Sequence, residues 1–224
     1  VLNDAEYRVV STVREVKNYP EEISSYLNDY NNDAETYYDI RREYNTRKYF
    51  PPGLRAAQFI YMNKCGYNGL YRVNNSGAFN VAYGKRSGQP HKDHEILNIC
   101  SSLLQDVRII NTDYREILDF TRKGDFVYFD PPYYRESPSS FVSYNTAPFT
   151  KEDHEQLALE CKFISNRGVK FALSNSDTPC VRNLYKNYNI HTINIHRSVS
   201  RVGHTRGLTD ELLITNYNKG EGCG

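Results

Sequence analysis

The spacing of apolar and polar positions changes character about halfway along the chain. In the first hundred residues it predicts helices over Glu6–Lys17, Pro20–Tyr30, Asp33–Tyr44 and Leu54–Asn63, the second with proline in its first turn. The stretch LYRVNNSGAFNVAYG then offers two strand-like runs around Asn75-Ser76-Gly77, a hairpin signal, before a helix near Asp93–Leu104. Beyond that point strands and helices alternate. Val107–Ile110, Phe126–Phe129, Val169–Leu173, Ile190–Ile195 and Leu212–Asn216 read as strands. Tyr114–Phe120, a segment running from the Thr150/Asp153 capping pair to Asn166, and a stretch near Val181–Tyr188 read as helices, with Gly168 as a stop. Alternation of this kind predicts an α/β fold with a mostly parallel sheet. The hairpin-bearing middle, residues 53–92, is expected as an insert into that layer, between segments 1–50 and 93–217, with residues 218–224 as a tail.

At 224 residues the chain suits one large domain with a smaller insert. No apolar run approaches the roughly 20 residues needed to cross a bilayer. Five cysteines, an odd count without a C-x-x-C pair, predict reduced thiols and a cytoplasmic setting. Net charge is only +1, but the charge is unevenly spread. Residues 51–92 hold no acid and carry Arg55, Lys64, Arg72, Lys85, Arg86 and Lys92. Residues 178–209 repeat the pattern with Arg182, Lys186, Arg197, Arg201 and Arg206. Two acid-free basic stretches suit a polyanionic partner, against the alternative that they are ordinary solvated faces.

The segment GDFVYFDPPYYRE joins a strand to chemistry. Its run FVYF is expected to be buried on both faces of the sheet. Pro131 and Pro132 cannot donate to a ladder, so the strand stops and Asp130 stands at its carboxyl end, where open α/β sheets bind ligands. The exocyclic amine of adenine is a poor nucleophile because its lone pair is delocalised into the ring. Two fixed acceptors, the Asp130 carboxylate and the Pro131 carbonyl, would bind its hydrogens and localise that pair. Tyr133 offers a face for an extruded base. The bland alternative is a strand terminus with a stiff turn.

Asp130-Pro131-Pro132-Tyr133 matches the DPPY motif of amino-group methyltransferases, and the chain resembles the Dam type of DNA adenine-N6 methyltransferase. YMNKCGYNGLYRVN followed by GAFNVAYGK is similar to that family's target-recognition segment, and FALSNSDT and TRGLTDELLITNY resemble its late segments. The resemblance implies a Rossmann-like S-adenosylmethionine-dependent sheet, S-adenosylmethionine as donor and duplex DNA as partner, with base flipping and GATC as the first guess for the target. It implies that Asp4 holds the donor's ribose, that Asp113 and Tyr114 line its adenine pocket, and that Asp130 and Phe141 wall the same cleft. For Asp4, Asp113 and Tyr114 a helix-cap or core role is the plain rival. It also implies that Tyr67, Asn68, Leu70 and Arg72 approach or enter the DNA, with Lys64, Lys85, Arg86 and Lys92 on phosphates. Leu70 can equally pack a small core. Arg197, Arg201 and Arg206 belong to the second basic stretch expected on DNA.

Two departures qualify the resemblance. Family members carry a Lys-Trp-x-Gly-Gly-Lys-like segment and a glycine-rich loop ahead of the position of Val1, and this chain has neither and no tryptophan. The chain is therefore expected to begin at the end of the second strand of the sheet, without a central strand, and to bind donor weakly by itself. Ala82 and Lys85 stand where proline and arginine are common. His91 and His94 share helical spacing, but without a companion ligand cluster they are expected as solvated histidines rather than a metal site. Two other readings stay open: a DNA-binding remnant without catalysis, and an amino-methyltransferase acting on RNA or a protein amide. Oligomeric state and a restriction–modification role, sharing a target with an endonuclease without touching it, are not decided by the residues.

Overall fold

A computed structural model describes residues 1–136, 149–196 and 208–218. Phe141, Arg197, Arg201 and Arg206, and most of the tail, lie outside these residues. The chain divides into two compact units, residues 1–114 and, among the described residues, 115–136 with 149–196 and 208–218.

The first unit is mainly helical. A short strand β1 (Leu2–Asn3) leads to helices α1 (Tyr7–Asn18), α2 (Pro20–Asp29), α3 (Ala34–Thr46), α4 (Leu54–Cys65) and α5 (His94–Leu104), and then to strand β2 (Ile109–Ile110). Helix starts follow local chemistry: Pro20 opens α2, and the Asp33 and Asp93 carboxylates cap α3 and α5. At α1 the cap is Glu6, whose side chain accepts from Arg8 N, and not Asp4. β1 and β2 pair in parallel, Leu2 opposite Ile109 and Asn3 opposite Ile110.

Tyrosine builds much of the core here. Tyr37 and Tyr61 are wholly buried among Ile23, Leu27, Met62 and Phe79. Their hydroxyls are satisfied by main-chain carbonyls, Tyr37 on Val81 at 3.2 Å and Tyr61 on Asn31 at 2.6 Å, as a buried phenol requires. Residues 53–92 share this core with α1, α2, α3 and α5, so packing sets no boundary at either end of that segment. The expected hairpin is irregular. The bridges Gly66–Tyr83 and Val73–Phe79 stand isolated, each flanked by main-chain bonds such as Asn74 N to Ala78 O and Asn80 N to Arg72 O. On the outer side of the second run, Asn45 of α3 bonds both main-chain groups of Phe79, and Arg41 donates to the Val81 carbonyl.

The second unit holds the latter part of α6 (Tyr114–Leu118), with β3 (Phe126–Phe129), α7 (Lys151–Asn166), β4 (Lys170–Ser176), α8 (Pro179–Leu184), β5 (Asn189–His196) and β6 (Leu208–Thr215). Its sheet has the order β3-β4-β6-β5. β3 and β4 are parallel, but β6 runs antiparallel to both its neighbours, so the sheet is mixed rather than mostly parallel. Among the described residues the structure is mixed α/β, with one two-stranded and one four-stranded sheet. β4 is central, with Phe171 and Leu173 fully buried. Among the described residues β3 pairs with β4 alone; Phe126 and Tyr128 are 56% and 57% exposed and only Phe129 is buried, so the run is not covered on both faces as expected. The Thr150/Asp153 capping box opens α7, and Gly168 at φ +77° follows it. No helix among the described residues is long and apolar enough to cross a membrane.

Candidate active site

Asp130 follows directly from the register of the second sheet. Phe129 is paired with Leu173, and the two prolines that come next end the β3 ladder. β4 continues for three residues, Ser174, Asn175 and Ser176, and their side chains take over the bonding. Ser174 Oγ donates to Asp130 Oδ1 at 2.9 Å. Asn175 Oδ1 accepts from Tyr134 N at 2.9 Å, and Ser176 Oγ donates to the Tyr134 carbonyl at 2.7 Å. Tyr133 Oη donates to Glu211 Oε2 of β6 at 2.9 Å, and burial pushes its phenol up from the usual tyrosine range. Asp130 is exposed, Tyr133 half-buried. Beneath the elbow, His154 in the first turn of α7 sits edge-on to Tyr134 and Phe149, with ring centroids 5.4 and 4.7 Å away. Burial lowers its pKa to about 4, so it is neutral at ordinary pH.

In the first unit, Asp4 and the pair Asp113-Tyr114 stand at the same end of two parallel strands, just after β1 and β2 respectively. Asp4 Oδ1 accepts from Glu6 N at 2.6 Å, while Asn111 Nδ2 ties the carbonyls of Asp4 and Ala5 at 2.9 and 3.1 Å. Alongside lies a cavity of about 160 Å³ lined by Leu2, Asn3, Asp4, Val9, Val10, Val13 and Ile109. An acid held at a strand end against an aliphatic wall fits the sugar of a nucleoside-type group, whose hydroxyls need acceptors.

The segment 53–92 is laced to itself by close backbone approach. A Cβ on Gly84 would lie 2.5 Å from the Gly66 carbonyl oxygen, and one on Gly66 would lie 2.4 Å from that of Met62. Glycine is therefore required where the two ends of the segment cross. Tyr67 is 54% exposed and anchored through its N–H to the Ala82 carbonyl. Asn68 beside it is exposed with φ +53°. Leu70 packs partly against the core. Arg72 reaches across to Asn80, Nε to Oδ1 at 2.7 Å and Nη2 to the carbonyl at 3.0 Å. Lys64, Lys85 and Arg86 are exposed, whereas Lys92 Nζ is bound to the Asn28 carbonyl at 2.8 Å.

The expectation of solvated histidines fails for His91, which is only 2% exposed. Its Nε2 meets the Tyr30 carbonyl at 3.0 Å and its Nδ1 meets Cys65 Sγ at 3.4 Å. Burial pushes the Cys65 thiol up to about 12 and lowers the His91 pKa. Both groups are thus neutral, the thiol donating to Nδ1 and Nε2–H to the carbonyl. His94 is half-buried, bonded through Nε2 to Asn28 Oδ1 at 2.8 Å.

Comparison with known proteins supplies the deciding observation: the profile of the D12 class N6 adenine-specific DNA methyltransferases matches residues 1–199. The chain belongs to that family. This methyltransferase is 35% identical to the Type II methyltransferase M1.LlaDCHI of Lactococcus lactis subsp. cremoris, across 97% of this chain and 79% of the relative. It is 37% identical to the Type II methyltransferase M.MjaIII of Methanocaldococcus jannaschii, across 94% and 75% of the two chains. A DNA adenine methylase of Vibrio cholerae is 32% identical, across 92% and 74%. Within the methyltransferase, the elbow residues Asp130–Tyr133 lie together in the second unit, and Asp4, Asp113 and Tyr114 share one strand end in the first. Ser174, Asn175, Ser176 and Glu211 were not predicted as site residues. They sit in FALSNSDT and TRGLTDELLITNY, segments whose likeness to the family was visible while their contacts to the elbow were not.

Proposed function

We propose that this methyltransferase transfers the methyl group of S-adenosylmethionine to N6 of an adenine swung out of duplex DNA, with GATC as the sequence tested first. The observation that carries the reading is Asp130, held at the carboxyl end of β3 by Ser174 through one oxygen while the other oxygen has no partner among the described residues. That oxygen and the Pro131 carbonyl accept the two N6 hydrogens, which draws the lone pair out of the ring and towards an electrophile. Pro132 stiffens the turn that keeps the carbonyl in place. The Tyr133 ring, fixed through its hydroxyl to Glu211, stacks on the base. The proton that N6 loses leaves to water at the exposed carboxylate.

Asp4 holds the donor's ribose hydroxyls, and Asp113 and Tyr114 its adenine; when bound, the donor supplies an electrophilic methyl on a sulfonium. Residues 1–50 and 93–217 then serve as the catalytic layer and 53–92 as the recognition segment. Tyr67 wedges into the stack, Asn68 bonds the orphaned partner base, and Arg72 reads guanine with the three donors that Asn80 leaves over. Lys64, Lys85 and Arg86 hold phosphates. The Type II names of two relatives favour a restriction–modification role over a stand-alone one.

In the full-length protein, Asp130→Ala should abolish tritiated-methyl transfer to duplex DNA while leaving duplex affinity nearly unchanged. Retention of the wild-type rate by that variant would remove Asp130 from the chemistry and the reading with it.

A further inference from the structure

We infer that Ser174, Asn175 and Ser176 are positioning residues that aim the Asp130–Tyr134 elbow at the substrate's amine, an inference that rests on the proposed amine-binding role of Asp130. A parallel ladder would ordinarily hold the end of β3 against β4. Here the ladder stops at Phe129–Leu173, because Pro131 and Pro132 bring no N–H groups to it. The elbow would be left loose at the point where direction matters. Instead it is gripped at both ends by consecutive side chains of β4.

At the front, Ser174 Oγ donates to Asp130 Oδ1 at 2.9 Å and lies 3.5 Å from the Phe129 carbonyl. A carboxylate can rotate about its last bond and present either oxygen. With Oδ1 taken by the hydroxyl, Oδ2 becomes the acceptor offered to the amine, beside the Pro131 carbonyl. At the back, both main-chain groups of Tyr134 are bonded, the N–H to Asn175 Oδ1 at 2.9 Å and the carbonyl to Ser176 Oγ at 2.7 Å. Asn175 Oδ1 also accepts from Ser176 N at 2.9 Å, which settles which way the amide faces.

The arrangement carries a cost. Asn175 is completely buried, and its Nδ2 has no partner among the described residues. An unpaired buried donor is unfavourable, and a side chain serving only to fill space would not need one. The acceptor on Tyr134 N is what the amide provides in return. Glu211 adds a fourth contact by fixing the Tyr133 hydroxyl from β6.

The test measures single-turnover methyl transfer, duplex Kd and Tm in the full-length protein for Ser174→Ala, Ser174→Thr, Asn175→Ala and Asp130→Ala. Ser174→Ala and Asn175→Ala should each slow transfer roughly 10- to 100-fold, the scale expected when a reacting group is misplaced by about an ångström. Kd should stay within about twofold for Ser174→Ala, and Ser174→Thr, which keeps the hydroxyl, should recover most of the rate. If Ser174→Ala and Asn175→Ala transfer methyl at the wild-type rate while Asp130→Ala is dead, the positioning role is overturned and the amine-binding reading survives. A rate loss that tracks a fall in Tm and is not recovered by threonine also overturns it, as a purely structural effect. Activity in Asp130→Ala removes both.

Discussion

Protonation of His154 is a perturbation whose size follows from the structure. The ring is buried at the start of α7, edge-on to Tyr134 and Phe149, and its Nδ1 has no partner among the described residues. Burial holds its folded pKa at about 4 against an ordinary 6.5. The unfolded chain therefore binds more protons than the folded one between those two values. Stability that is full above pH 6.5 is lost as the pH falls towards 4. The whole interval corresponds to at most about 3 kcal/mol, and the portion lost between about pH 7.5 and about pH 5 to about 2 kcal/mol. His154→Phe keeps an aromatic ring between Tyr134 and Phe149 and removes the titration. Urea melts followed by far-UV circular dichroism at the two pH values should show the wild type losing about 2 kcal/mol more than the variant. At neutral pH the variant should be as stable as the wild type or more so, because the unpaired nitrogen is gone. Equal losses in both proteins would mean that His154 is already hydrated in the folded state, and the reasoning from its burial would fail.

Two further outcomes concern the segment 53–92 and its proposed recognition role. Arg72→Ala should cost about 1–3 kcal/mol on the preferred sequence and relax sequence choice, measured as methylation rates on duplexes altered one base pair at a time. An equal loss on specific and random duplexes would assign Arg72 to a phosphate instead. Gly84→Ala places a carbon 2.5 Å from the Gly66 carbonyl oxygen and 3.0 Å from that of Cys65. It should open the Gly66–Tyr83 bridge, destabilise the protein by about 1–3 kcal/mol and weaken DNA binding. An unchanged melting temperature would show that the two strands of chain separate freely there.

What the sequence made legible was whatever is written locally. The α7 capping box, the Gly168 stop, the Pro20 helix start and the end of β3 at two prolines all depend on residues within a few positions of each other, and all appear as expected. Strand direction was not legible, since an alternating run has the same period either way; β6 accordingly arrived antiparallel. FVYF read as a covered strand because aromatic content signals burial, yet Phe126 and Tyr128, which alternate onto one face, are exposed while Phe129 on the other is buried. The outer side of the hairpin's second run is bonded by Asn45 and Arg41, over thirty residues away in sequence. His91 looked solvated because Cys65, its partner, lies 26 positions earlier. In the site the same division holds. The DPPY elbow is one contiguous word, whereas the side chains that grip it come from 41 to 78 positions further on.

The pairing of β3 with β4 also bears on how the elbow comes undone. Among the described residues a single four-rung pairing with β4 secures the strand that carries Asp130, whereas β4 and β6 are each flanked on two sides. In a native-state deuterium-exchange experiment, amides of residues 126–129 should therefore trade hydrogen ahead of those in the middle of the sheet. Every such excursion away from β4 unseats the carboxylate along with the strand, so the grip of β4 on residues 126–129 bears on the fraction of molecules ready to react.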